Sequence, residues 1–484
     1  VRFFSAPDID FAGIRTELGI TEDYGDQALA EAADAVDSCA ADREDLRHLP
    51  FVTIDPPTSR DLDQAVYLQT RPDGGFTVNY AIADVGALVV PGGALDAEAR
   101  RRGTTFYFPD ESVPLHPRVL SEGSGSLLPD VDRPAVVWTM EVAPDGTVGG
   151  LGDGGVHVRR ALVRSVAKLD YAGVSADAAR GALHPSIAAL PAFGQLRSRA
   201  ALARGAIGLD MPAQEVVRDG DGWTIRLARR YDSEDWNEQL SLLTGIVAGT
   251  IMRDANVGIL RTVPPPSDAA VEQLRAMAAT LGASWPDGAT IGQFLAAQPA
   301  DSPTTLALMS AATGLLSGAD YLALPAVAND DGTTPYTEHS GLASVYAHVT
   351  APLRRLPDRF ATEACLAVAA GRPVPDWVLE ALPGLPAQVE ESARLASRAD
   401  RESVDLAEAV VLEKYVGQRF DAVVTRPRRD RRAAEVFVAD PPVLAPCEGD
   451  PAPGNRLAVT LTQADPAQRR VRFTPVDGAG ERSE

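Results

Sequence analysis

The sequence predicts an α+β protein, with mixed β-sheets wrapped by helices and a small all-β barrel at the end. Three observations predict it. From Phe51 to Ser165, short runs of Val, Ile, Phe and Tyr are separated by Asp-Gly turns. From about residue 168 to 410 the chain is alanine-rich and helical in texture, and from Val416 to about Thr474 it returns to short strands. A length of 484 residues suits two to four domains, and a hydrophobic fraction of 45% can build their cores without staples.

Residues 1–48 are acidic and Ala/Asp-rich and read as a packed extension, with a helix over Gly25 to Val36. Phe51 to Ile54 and Phe76 to Ile82 are predicted strands, separated by a turn at Pro72 to Gly75. Val136 to Val142 and Val156 to Ser165 flank a second turn at Asp145-Gly146. One β excursion, Glu215 to Ala228 around Asp219 to Gly222, interrupts the helical part. Four strands are predicted near the end: Arg419 to Thr425, Ala434 to Val438, Leu457 to Thr462 and Val471 to Thr474. From Tyr415 on, 11 Arg face 10 acidic residues, so this module is nearly neutral; Arg426, Arg428, Arg429, Arg431 and Arg432 cluster in it, as a solvated loop or a nucleic-acid contact.

The net charge of −22 excludes a protein that coats nucleic acid or an anionic membrane with its whole surface. It leaves room for a local basic channel. Only Lys168 and Lys414 are lysines among 45 basic residues; GC-rich codon usage explains that bias, and arginine also forks phosphates bidentately. Cys39, Cys365 and Cys447 form no C-x-x-C pair, which excludes a disulfide framework and a cysteine-built zinc site. No run approaches the ~18 apolar residues of a membrane span, and Val1 to Ile20 lacks the pattern of a secretory signal. The expectation is a cytoplasmic protein with no membrane contact.

The most informative stretch is Ile54 to Ala65, I-D-P-P-T-S-R-D-L-D-Q-A, which places Asp55, Asp61 and Asp63 within nine residues behind an apolar strand. A loop stiffened by Pro56-Pro57 can bring carboxylates together. Converging carboxylates repel one another unless a hard cation such as Mg²⁺ or Mn²⁺ neutralises them, and such a cation can activate water. A solvated acidic turn is the other reading of the residues alone. The central Gly and terminal Glu of an EF-hand loop are absent.

The stretch resembles the signature of the RNase II family of exoribonucleases, the RNB domain, in which four spaced aspartates hold catalytic magnesium. Asp55, Asp61 and Asp63 match the first three, and the fourth falls on Gln64, which offers a carbonyl oxygen and no charge. Further blocks follow in the family's order. Tyr80 to Val85 (Y-A-I-A-D-V) is similar to H-I-A-D-V, and Arg102 to Asp110 (R-G-T-T-F-Y-F-P-D) to R-G-T-S-V-Y-L-P-D. The run Leu120 to Pro129 with Asp132-Arg133 looks like the sequel of that block. Gly205 to Pro212 and Glu238 to Leu243 resemble later blocks, and Leu260 to Pro264 does so without the usual His. Tyr346 to Arg355 with Asp358 is similar to Y-x-H-F-T-S-P-I-R-R-Y-x-D, with Leu356 for the last Tyr, and Ala399 to Glu402 to A-E-R-x, with Asp400 for Glu.

The resemblance covers about residues 50–410. It implies an RNB domain over 49–410 and an OB-fold RNA-binding barrel over 415–484. It implies a hydrolytic 3′-to-5′ exoribonuclease that degrades single-stranded RNA to nucleoside 5′-monophosphates. Asp61, Asp63 and Arg354 would be catalytic, with Arg354 holding the scissile phosphate. Asp55, Asp61, Asp63 and Gln64 would surround Mg²⁺ or Mn²⁺, and Tyr107, Arg354, Tyr346, Glu238 and Asp400 would contact RNA. His348 and Asp84 read as structural, and a monomer is expected. The alternative is a catalytically weakened member that binds RNA without cutting it well.

Overall fold

The computed structural model describes residues 4–209, 211, 213–228, 230–299, 302–327, 333–428 and 432–476. Five strands form a closed ring of pairings: Phe51–Ile54, Gln64–Thr70, Phe76–Ala83, Asp132–Val142 and Val156–Leu169. The last of these closes the ring. Its first half runs antiparallel to Asp132–Val142, and its end, Ser165 to Leu169, runs parallel to Phe51–Ile54. The strand therefore continues past the expected limit at Ser165. The turn at residues 71–75 joins Gln64–Thr70 to Phe76–Ala83, not the two strands expected to flank it.

Period-two patterning sorts the ring's two faces. Phe76, Val78, Tyr80 and Ile82 lie in one core with Val66, Trp138 and Met140, while Ala81, Ala83, Ala65 and Val137 lie in a second with Leu62, Leu120 and Leu353. Both faces are covered, so these strands read as nearly continuous apolar runs. Helices Asp232–Ala255 and Leu356–Ala369 pack into the first core.

A second β excursion interrupts the helical part, beyond the expected one at Gln214–Leu227. Gly258–Thr262 pairs antiparallel with Asp320–Leu324 across a helical insert that has its own small core. The amphipathic helix Leu385–Leu412 then leads to a closed five-strand barrel, in the order Arg419–Arg426, Ala434–Ala439, Pro442–Cys447, Arg470–Pro475, Arg456–Asp465. The fold is α+β, and the terminal module is OB-like. Arg429 and Arg431 of the expected arginine cluster, and Asp210 and Pro212 of the 205–212 block, lie outside the described residues. Arg426 is ion-paired with Glu435. No helix among the described residues is long and apolar enough to cross a membrane.

The start of the chain packs against several elements. Ala6 exchanges two backbone hydrogen bonds with Trp223 (2.9 and 2.7 Å), and Phe4, Phe11 and Ile14 share a core with the barrel's Phe420. The helix within Gly25 to Val36 spans Asp26–Ala33 and buries Ala28 and Ala32.

One close approach fixes the path of the chain through the site. Helix Asp232–Ala255 touches the segment at Tyr346 through Gly245 and Gly249; a Cβ on Gly249 would sit 2.9–3.0 Å from the Tyr346 backbone. Gly249→Ala should therefore destabilise the protein by about 1–3 kcal/mol through overpacking. Thermal melting should show a Tm several degrees below the parent.

Candidate active site

The loop between Phe51–Ile54 and Gln64–Thr70 leaves one end of the ring carrying the three aspartates. Its ends are fixed by the ladder: the Asp55 amide donates to Leu169 O (3.1 Å), and the Ala83 amide to Asp63 O (2.9 Å). Its middle is held by side chains. Lys168 Nζ donates to the carbonyls of Pro57 (2.8 Å) and Ser59 (2.5 Å). Ser126 Oγ donates to Arg60 O (2.6 Å) and accepts from the Leu62 amide (2.9 Å). Sequence reasoning missed both anchors, although Lys168 stood out as one of two lysines.

The opposite wall is the turn Thr350–Arg355. Asp358, in the first turn of helix Leu356–Ala369, organises it: one carboxylate oxygen accepts from the Ala351 amide (2.7 Å) and from Arg355 Nη2 (2.8 Å). The turn meets the loop at Asp63, whose Oδ1 accepts from the Leu353 amide (2.8 Å) and whose Oδ2 lies 3.6 Å from Arg354 Nε. The backbone carbonyl of Arg354 is held by the Thr105 amide and the Thr104 hydroxyl, both at 3.0 Å. That ties the turn to the short strand Phe106–Tyr107, where Phe106 is buried and Tyr107 is 52% exposed.

Burial dominates the electrostatics. It pushes the Asp55 carboxyl up to about 6, with Asp61 adding to the rise and Arg354 and Lys168 opposing it. Asp61 is raised mainly by burial, and buried Asp63 is held well above the usual carboxylate range for the same reason, against the pull of Arg354. Tyr107 is pushed up to about 12 by burial of its phenol, while Arg354, which it hydrogen-bonds, pulls it down. Asp55, Asp61, Asp63, Arg354 and Tyr107 thus form one interacting group.

The other expected residues stand differently. Gln64 has both ends of its amide engaged: Nε2 donates to Thr350 O (2.7 Å), and Oε1 accepts from Tyr80 Oη (2.6 Å). Tyr346 is 7% exposed and packs edge-on against His339 and His348, so its ring offers little surface to a ligand. His348 Nδ1 hydrogen-bonds Tyr321 Oη (2.6 Å). Glu238 is exposed on helix Asp232–Ala255 and paired with Arg230 (3.0 Å); Asp400 is exposed on helix Leu385–Leu412. Neither is among the charges that chiefly shift the three aspartates. Asp84 accepts from Arg43 (2.8 Å) and Arg160 (2.9 Å) within a structural network.

Two features bear on ligands. A cleft of about 590 Å³ between helix Leu385–Leu412 and the strands Gly258–Thr262 and Asp320–Leu324 is lined by Arg261, Arg394, Arg398 and Arg401 and by the acidic Asp320, Glu390 and Glu402, with Arg394 paired to Glu390 (3.9 Å) and Arg398 to Glu402 (3.6 Å). Asp55 Oδ2 is buried without a hydrogen-bond partner. Among the described residues no three carboxylate, imidazole or thiol groups stand close enough together to hold a metal ion as placed. The donor set is nonetheless one for a hard cation: three carboxylates raised by burial, one of them with an orphaned oxygen.

The RNB domain model matches residues 43–367, and the model of the RNase II-type exonuclease C-terminal S1 domain matches residues 418–476. Ribonuclease R of Vibrio cholerae serotype O1 is 30% identical over 413 residues, which cover 79% of this chain and 48% of that protein. Ribonuclease R of Escherichia coli strain K12 is 31% identical over 339 residues, covering 66% and 39%. The chain thus spans about half or less of the length of these curated relatives. The apo form of Mycoplasma genitalium RNase R superposes with a TM-score of 0.84 at 20% identity, covering 96% of this chain and 78% of that one, and so shares the fold.

The raised Asp55 carboxyl gives a pH dependence. Folding raises it from about 3.9 to about 6, so the folded state binds this proton more tightly than the unfolded state. The stability it contributes is full below about pH 4 and is lost as pH rises through about 6. Without metal, Tm should fall between about pH 4 and 6.5, and Asp55→Asn should flatten that fall in a melting series.

Proposed function

The chain belongs to the RNB-domain family, and we propose that it is a hydrolytic 3′-to-5′ exoribonuclease acting on single-stranded RNA. The observation that carries this reading is the meeting of Arg354 with Asp63 at 3.6 Å, beside the exposed ring of Tyr107. A phosphate clamp, a carboxylate group and a stacking surface are the parts that removal of a terminal nucleotide requires.

In this reading the Tyr107 ring stacks on a base near the 3′ end, a contact tolerant of sequence. The Arg354 guanidinium donates to the non-bridging oxygens of the scissile phosphate, and its hold strengthens as negative charge builds there. Asp55, Asp61 and Asp63 would hold Mg²⁺ or Mn²⁺, which would polarise that phosphate and lower the pKa of a bound water. In-line attack of water on the last phosphodiester breaks the bond to the 3′ oxygen of the preceding nucleotide and frees a nucleoside 5′-monophosphate. Contacts to 2′-hydroxyls would favour RNA over DNA. Tyr346 is assigned to packing.

The test is a 5′-labelled single-stranded RNA of ~30 nucleotides, longer than the ~4–16 that one barrel covers. With Mg²⁺ it should collapse to a short labelled remnant, while EDTA or Asp63→Asn should leave it intact. RNA that stays intact yet shifts on a gel would replace this reading with that of an RNA-binding protein. Arg354→Ala should lower kcat about 10²–10³-fold. Tyr107→Ala should weaken RNA binding by about 1–3 kcal/mol, read by fluorescence anisotropy.

A further inference from the structure

Gln64 stands where the resemblance has a fourth aspartate, and in the fold it touches Tyr80, the residue just before the position of the block's histidine, which here is Ala81. Gln64 pairs with Ile82 across the ladder, which makes Tyr80 its diagonal neighbour. The Tyr80 hydroxyl donates to Gln64 Oε1 at 2.6 Å and lies 3.0 Å from Ser241 Oγ on helix Asp232–Ala255. From its other end, Gln64 Nε2 donates to Thr350 O at 2.7 Å. Thr350 opens the turn that carries Arg354, and the same turn is bonded to Asp63 through the Leu353 amide. Neighbouring residues 63 and 64 therefore fasten one turn at two points.

An aspartate at position 64 is one methylene shorter and has no N–H, so it would leave the Thr350 carbonyl without this donor and draw back from the Tyr80 hydroxyl. It would also add a fourth negative charge beside Asp55, Asp61 and Asp63, a cost that a bound cation relieves. The amide needs no such help. We infer that Gln64 is a positioning residue: anchored by Tyr80 and Ser241, it is a neutral strut that sets the Arg354 turn against Asp63 without a metal ion. The inference rests on the proposed exoribonuclease reading for its kinetic consequence only.

The test compares wild type, Gln64→Asp and Tyr80→Phe, the last keeping the ring and removing only the hydroxyl. In EDTA, Gln64→Asp should melt about 2–4 °C below wild type, and excess Mg²⁺ should raise its Tm more than it raises that of wild type. Tyr80→Phe should melt lower than wild type in EDTA and in Mg²⁺ alike. On RNA its kcat should fall about 10–100-fold, as a small misplacement of the clamp would cause, with KM changed less than about twofold. An Mg²⁺-induced rise no larger in Gln64→Asp than in wild type would overturn the strut, as would an unchanged kcat in Tyr80→Phe. Faster turnover by Gln64→Asp with unaltered melting would make Gln64 a lost ligand instead. If wild type does not cut RNA, the exoribonuclease reading fails, and the melting comparison alone decides the strut.

Discussion

The hydrogen bond from the Leu353 amide to the Asp63 carboxylate joins two walls of the site that are 290 residues apart in the chain. Asp63 is buried, so this amide does more than add a contact: without it a carboxyl oxygen would be left in the interior unsatisfied, which costs about 1–3 kcal/mol. Much else serves to keep that bond in place. The Ala83 amide fixes Asp63 at the head of the ladder, Asp358 shapes the turn that presents Leu353, and the glycines of helix Asp232–Ala255 let the turn's approach pass close beneath it. Arg354 reaches Asp63 because its neighbour is already there.

The same burial shapes the chemistry. Three carboxylates in one loop would ordinarily splay into water; here Lys168 and Ser126 hold the loop by its backbone, and the carboxyl groups absorb the cost as raised proton affinity. Arg354 offsets part of it, as a bound cation would. The chain's net charge of −22 places repulsion over most of the exterior, while at the carboxylate loop Arg354 and Lys168 supply positive charge, and the cleft holds four arginines against three acidic residues. Attraction for a polyanion is thereby confined to a small part of the surface.

Much of this was legible in the sequence, and the failures have physical reasons. Four of the ring's five strands, those at Phe51, Phe76, Val136 and Val156, announced themselves by β-branched and aromatic runs, and the aspartates by their spacing. Gln64–Thr70 was missed because its first residues belonged to the motif and its last two are exposed polar residues. Pro442–Cys447 was missed because it begins with one proline and holds another at Pro446; it tolerates them because its pairing to Arg470–Pro475 is limited to Cys447 with Phe473. Gly258–Thr262 and Asp320–Leu324 are five residues each, and a helical insert separates them, so no local pattern could pair them. At the site, residue type identified Asp55, Asp61, Asp63 and Arg354, but the hydrogen bonds of Gln64 depend on a tyrosine 16 positions on and a carbonyl 286 positions on. Such partners have no local signature.

The long reach of the Asp63–Leu353 bond also has a consequence in time. A ribosome extends a chain at about 5–20 residues per second, so the 290 residues between the two partners take about 15–60 s to make. Throughout that interval the aspartate loop has emerged and its arginine has not. Under the proposed activity, the group that would act on RNA thus stays incomplete until the chain has been extended past Arg354.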